Sequence, residues 1–123
     1  MSDLIVFDGQ PKVYKVKPNM AVLTLRKSEI PDGGTLVVNV HDRLKVALFR
    51  VGDRVAAINN RCPHRGGALG EGPFDGTLVK CPLHGFRVNV WTGIGNAGKP
   101  VQTFPVELVG EEIHLTTPEP AAE

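Results

Sequence analysis

The sequence predicts an all-β protein of short antiparallel strands, and three observations carry that expectation. β-Branched and apolar residues dominate short runs with a two-residue rhythm, as in Thr35-Leu36-Val37-Val38-Asn39-Val40. Turn-forming residues are plentiful, with 14 Gly and 10 Pro in a chain of 123 residues. No stretch repeats apolar residues at three- and four-residue steps, the spacing an amphipathic helix requires.

Taken in order, residues 1–20 precede the regular alternation and are expected to form an N-terminal extension or an added edge strand. Ala21-Val22-Leu23-Thr24-Leu25 is the first candidate strand, and residues 35–40 are a clearer one. A tight turn at His41-Asp42-Arg43 leads into residues 44–50. Val51-Gly52-Asp53-Arg54 then makes a hairpin turn into residues 55–59. From residue 60 to 91 the rhythm breaks into Gly- and Pro-rich loops around one short strand, Thr77-Leu78-Val79-Lys80. Gly66, Gly67, Gly70, Gly72 and Gly76 permit backbone paths that larger residues would obstruct. A further loop over 91–100 precedes two closing strands, 101–108 and 112–116, joined by a turn at Val109-Gly110-Glu111. Residues 117–123 read as a flexible C-terminal tail. The expected organisation is one domain over 21–116, with a loop-rich subdomain at about 60–100.

Composition narrows the function. A formal charge of +1 with scattered Lys and Arg argues against nucleic acid as a partner. No apolar run approaches the ~20 residues of a membrane span. The opening Met1-Ser2-Asp3-Leu4 lacks the basic start and apolar stretch of a secretory signal. A cytoplasmic protein is expected. Two cysteines do not make a disulfide scaffold, and a reducing compartment keeps them available as thiolates.

Both cysteines sit in strings that carry chemistry. Cys62-Pro63-His64 is followed, after sixteen intervening residues, by Cys81-Pro82-Leu83-His84, and each histidine leads into a Gly-containing turn. Two soft thiolates and two imidazoles can fill four coordination positions. A ligand pair one or two residues apart lets a single turn aim two side chains at one metal centre. A structural zinc site uses the same donors, although its usual order is a Cys pair followed by a His pair rather than this interleaving.

The arrangement C-x-H, sixteen residues, C-x-x-H resembles the Rieske pattern, in which two Cys hold one iron of a [2Fe-2S] cluster and two His hold the other. The likeness extends over residues 61–93. It includes Cys-Pro-His-Arg-Gly-Gly-Ala-Leu-Gly-Glu-Gly from 62, Cys-Pro-Leu-His-Gly-Phe-Arg-Val from 81, and Trp-Thr-Gly from 91. It implies a Rieske-like antiparallel β-sandwich or barrel with a cluster-binding subdomain of two loops. It assigns Cys62 and Cys81 to the inner iron and His64 and His84 to the outer one. Rieske proteins of respiratory and photosynthetic complexes carry an additional disulfide-forming Cys in each loop. Here those positions are Gly67 and Leu83. That branch also places potential-raising hydroxyls where this chain has Phe86 and Val88, so the low end of the Rieske range is expected, roughly −150 to +300 mV overall.

The resemblance implies an electron carrier rather than an enzyme, since no nucleophile–base pair or carboxylate dyad stands out near the motif. The leading expectation is a ferredoxin that takes electrons from a flavin-dependent reductase and hands them to a terminal oxygenase. The alternative is the Rieske small subunit of a larger oxidoreductase, such as NAD(P)H-dependent nitrite reductase. A zinc module serving protein interaction is a third. An oxidised cluster with two thiolates and two neutral imidazoles is about neutral, so partner steering falls to a local patch. Arg65, Arg87 and Lys99 stand near the ligand loops, placed to meet an acidic partner, although solvated surface charge explains them more simply. Pro100 resembles the proline of a loop that shields the cluster in this fold, and a simple strand entry explains it equally well. Trp91 fits ordinary packing better than a cluster cover. His41 and His114 read as surface or core histidines, and Phe49, Phe86 and Phe104 as core.

Overall fold

Alternation along the central strands sends successive side chains to opposite faces, and this divides the molecule into two cores. The computed structural model describes residues 12–17, 20–41, 44–63, 67–83 and 85–118. Among these residues nine strands run in chain order: β1 (Lys12–Lys17), β2 (Met20–Arg26), β3 (Thr35–His41), β4 (Leu44–Val51), β5 (Arg54–Asn59), β6 (Leu78–Lys80), β7 (Arg87–Asn89), β8 (Val106–Val109) and β9 (Glu112–Pro118). All strand pairs are antiparallel. They form a four-stranded sheet ordered β1-β2-β9-β8, a three-stranded sheet β3-β4-β5, and the hairpin β6-β7. Helical structure among the described residues is confined to three-residue 3-10 turns, and no helix there is long and apolar enough to cross a membrane.

β4 is the shared wall. Val46 and Leu48 point to one side, where with Leu23, Leu25, Ile113, Leu115 and Phe104 they fill the space between the two sheets. Ala47 and Phe49 point to the other side and meet Val79, Val88, Cys62 and Cys81. β5 repeats the division, Ala57 facing the sandwich and Ala56 and Ile58 facing the loops. Each large apolar side chain buried this way contributes about 1.5–3 kcal/mol. Phe49 also meets Phe74 in a tilted ring pair, centroids 4.8 Å apart. The all-β sandwich with an appended loop subdomain is what the sequence leads one to expect, and Phe49, Phe86 and Phe104 are core residues.

The structure departs from expectation in four places. Residues 101–108 are not one strand. Asn59 N–H donates to Gln102 and Phe104 N–H donates to Ala57, so this stretch first pairs with β5. Beyond Pro105, which has no N–H to donate, the chain joins the other sheet as β8. β7 is a strand the sequence does not predict, with Val88 and Val90 both buried, exposed Arg87 before them and half-buried Asn89 between. Thr77 precedes its strand rather than opening it, because Asp75 Oδ1 accepts its amide in a turn. Finally, β9 continues to Pro118, and Thr117 is fully buried. β1 lies at the edge of the four-stranded sheet. Residues 1–11, the Asp42-Arg43 part of the expected turn, and residues 119–123 of the expected tail lie outside the described residues.

Candidate metal centre

The two motif strings fold into the same device. In the first, Arg61 bridges Ala68, and inside that bridge Cys62 N–H donates to Gly67 C=O at 2.7 Å. In the second, Lys80 pairs with Arg87, and Cys81 N–H donates to Phe86 C=O at 2.7 Å. Each loop is therefore a six-residue tip opened by cysteine and closed by the fifth residue after it. A second bond, Gly85 N–H to Cys81 C=O at 2.9 Å, tightens the second loop, and Gly85 takes the positive φ of 71° that this path requires. Pro63 and Pro82, following the cysteines, need no amide partner and lie exposed.

The loops meet at Gly67. A Cβ there would stand 2.7 Å from Cys81 Sγ and 3.1 Å from Leu83 Cδ1, so only glycine lets the first loop close onto the second. Gly67 and Leu83, the two positions that the resemblance singles out, are thus neighbours across the seam. Both cysteines are free and 1% exposed, and they share one core with Phe49, Ile58, Leu69, Phe86 and Val88.

Asn60 fixes the first loop, a role the sequence does not advertise beyond a polar residue ending an apolar strand. Its N–H donates to Lys45 C=O, its own C=O accepts Leu69 N–H, and its Oδ1 accepts Gly70 N–H at 2.7 Å. The 3-10 turn Leu69–Glu71 is thereby pinned to β4 and β5. A third loop backs the second: Gly95 lies against the Phe86 ring, and Asn96 Oδ1 accepts the Arg87 N–H. That loop holds Ala97 at a left-handed φ of 58°.

Other singled-out residues fall into structural roles. Trp91 packs against the cysteine core, donates Nε1–H to Gly76 C=O at 2.9 Å, and is covered by the Arg54 guanidinium 4.1 Å from its ring centroid. His114 is half-buried beside Glu112 at 3.1 Å, and His41 is half-buried on β3. Pro100 is exposed and bridges Ile94 in the third loop, while Arg87 and Lys99 are exposed. His64, Arg65 and His84 lie outside the described residues. Just before β6, Asp75 Oδ1 accepts the amides of Leu78 and Thr77, and these bonds hold its carboxyl below the usual carboxylate range.

This arrangement fits the iron–sulfur cluster that the resemblance implies. Two unoxidised thiols are held dry at equivalent points of facing loops, and the soft sulfur donors suit iron. Comparison with known proteins agrees. The family model of the Rieske [2Fe-2S] domain matches residues 20–113. The chain is 34% identical over 96 residues to the 3-phenylpropionate/cinnamic acid dioxygenase ferredoxin subunit of Escherichia coli K12, covering 75% of this chain and 89% of that protein. Among solved structures it is similar to the ferredoxin of carbazole 1,9a-dioxygenase from Nocardioides aromaticivorans IC177. There the TM-score is 0.68 at 31% identity, over 75% of this chain and 92% of that one. It also shares the fold of a protein assigned as the small subunit of an NADH-dependent nitrite reductase from Mycobacterium tuberculosis. That match has a TM-score of 0.69 at 20% identity, over 80% of this chain and 96% of the other. With the paired cysteine loops and this match over most of its length, the chain belongs to the Rieske [2Fe-2S] domain family and takes one [2Fe-2S] cluster.

Proposed function

We propose that this protein is a one-electron carrier that receives electrons from a flavin-dependent reductase and delivers them to a terminal oxygenase. The observation that carries this reading is the pair of facing loops, each opened by a buried free cysteine. The relatives named as dioxygenase ferredoxin subunits support it. We assign Cys62 and Cys81 to one iron and His64 and His84 to the other. Bound there, the cluster supplies a single-electron couple near neutral charge. The chain's own residues do the rest. Phe86, Val88, Val79 and Leu69 exclude water from the thiolate side, and the two Cys amides keep each loop closed. The exposed Pro63, Pro82 and Leu83 flank the loop tips, so contact with a partner there is small and brief, as suits electron transfer.

We take residues 21–116 as the Rieske domain, with the cluster-binding part at about 60–100 and residues 1–20 and 117–123 as its extensions. We also infer a cytoplasmic location, because a reducing compartment keeps both thiols available for the cluster. The alternative, a small subunit of nitrite reductase, draws on a likeness of fold alone.

Purified protein should be red-brown, with two irons and two labile sulfides per chain and an EPR signal of a His-ligated cluster after reduction. NADH and a flavin reductase should bleach it, and added oxygenase should restore the colour. A colourless protein holding one zinc would overturn the reading. Fixed-stoichiometry isolation with a large reductase subunit would move it to the alternative.

A further inference from the structure

The strands that carry the second ligand loop set two cations directly against each other. Lys80 ends β6, Arg87 opens β7, and the register places them opposite. Both are exposed, and neither ion-pairs with a described residue. Like charges at opposed positions weaken a strand pair, so the fold gains nothing from this placement. Lys80 also leans over the loop: its Cε lies 3.2 Å from where a Gly85 Cβ would stand.

Beside these cations opens a pocket of about 420 Å³, lined by Pro73, Phe74, Asp75, Leu78, Lys80 and Arg87. Its apolar part includes Leu78, one of the large exposed apolar side chains of the protein. Its carboxylate, Asp75, is already engaged by two backbone amides, and Arg87 acts on it only at longer range. The third loop adds exposed Lys99, whose C=O accepts the N–H of Gly95, and Gly95 packs on Phe86 just before Arg87. With a formal charge of +1 overall, such a local patch is where directional attraction must arise.

We propose that this pocket is a docking surface for a carboxylate-bearing segment of the protein's redox partner. Lys80 and Arg87 receive the carboxylates, Arg87 through its planar fork, while Leu78 and Phe74 receive adjoining apolar surface. The proposal rests on the electron-carrier reading and adds the sign and place of the partner's charge. A carboxylate complements the patch because it pairs both cations and removes their mutual repulsion.

Stopped-flow oxidation of the reduced holoprotein tests it, with ferricyanide as anionic and hexaamminecobalt(III) as cationic oxidant. At about 10 mM ionic strength charges act over ~30 Å. A trivalent anion passing about 10 Å from both cations should react roughly tenfold faster than without them. Lys80→Ala/Arg87→Ala should lose that factor with ferricyanide and gain with the cobalt complex, and both effects should vanish near ~0.5 M salt. The charge-keeping exchange Lys80→Arg/Arg87→Lys should restore the preference. Hexaglutamate should slow ferricyanide oxidation of the native protein and leave the double alanine variant unaffected. Rates indifferent to the double substitution, or equal slowing of both proteins by hexaglutamate, overturn the proposal. A protein without a reducible two-iron cluster overturns the carrier reading itself, and absorbance reveals that before any rate is measured.

Discussion

Replacing Gly67 with alanine tests whether the two loops truly meet. The added methyl would stand 2.7 Å from Cys81 Sγ and 3.1 Å from Leu83 Cδ1, about 1 Å inside ordinary contact with the sulfur. Leu83 is 61% exposed and can swing away. Cys81 cannot: it is buried, and both its amide and its carbonyl are bonded within the loop. The cost is that of an overpacked core, about 1–3 kcal/mol. Because losing a cluster makes unfolding irreversible, the assay is the rate of bleaching at fixed urea rather than an equilibrium midpoint. That rate should rise about tenfold in Gly67→Ala. Adding Leu83→Ala should recover little of it, since the clash with sulfur persists. Native bleaching in Gly67→Ala, or full recovery on trimming Leu83, would show that the seam is not where this geometry puts it.

Three further outcomes follow from individual side chains. Thr117 Oγ1 is fully buried and has no hydrogen-bond partner among the described residues, so Thr117→Val should stabilise by about 1 kcal/mol, raising the apparent melting temperature by about 3–5 °C. A fall would mean the hydroxyl is satisfied. Phe86→Ser places a hydroxyl donor beside the cysteine core. A bond favouring the reduced cluster by about 1 kcal/mol raises the midpoint by about 40 mV in a redox titration, at a cavity cost of about 3 kcal/mol in stability. An unmoved potential would reject the placement of Phe86. Asp75, with its pKa lowered by backbone amides, contributes stability that is present above the ordinary carboxylate range. That stability is lost as pH falls through the lowered folded value, so acid melts of Asp75→Ala should show a shallower loss below about pH 4.

The sequence is most legible where one physical rule acts alone. β3, β4 and β5 follow from short apolar and β-branched runs bounded by turn signals, and the hairpin between β4 and β5 from Gly52 at φ 60°. The family is legible because few functions call for two Cys and two His at those intervals, and of the four proposed ligands the structure describes Cys62 and Cys81. Legibility fails where tertiary contacts decide. Residues 101–108 look like one strand by local preference, yet Val101 belongs to the cysteine core and Phe104 to the sandwich core, with Pro105 at the crossing. β7 is three residues long, too short for periodicity to register, and exists because β6 is there to pair it. Asn60 and Gly70 cannot be picked out at all without the fold. A Cβ on Gly70 would strike Val37 Cγ2 and Asn60 Oδ1, atoms brought together only by β3 and β5.

That same dependence on shared contacts explains why the first cysteine loop follows β5 and why the β6-β7 hairpin that carries the second packs on the same core rather than standing free. An electron carrier works best when its ligands move little between oxidation states, and a two-stranded hairpin alone is marginal in water. β4 and β5 are buried on both faces, so displacing Ala47, Phe49 or Ile58 toward the cluster side would also pull Val46, Leu48 and Ala57 out of the sandwich. Asn60 transmits that rigidity forward, since a single residue joins β4 to the turn that ends the first loop. The second loop receives it through Gly67 and through Val79 and Val88 packed in the same core. Rigidity at the cysteines is therefore a property of the whole sandwich, whereas the Lys80 and Arg87 side chains, exposed and without an ion-pair partner among the described residues, are free to turn toward the partner the protein meets.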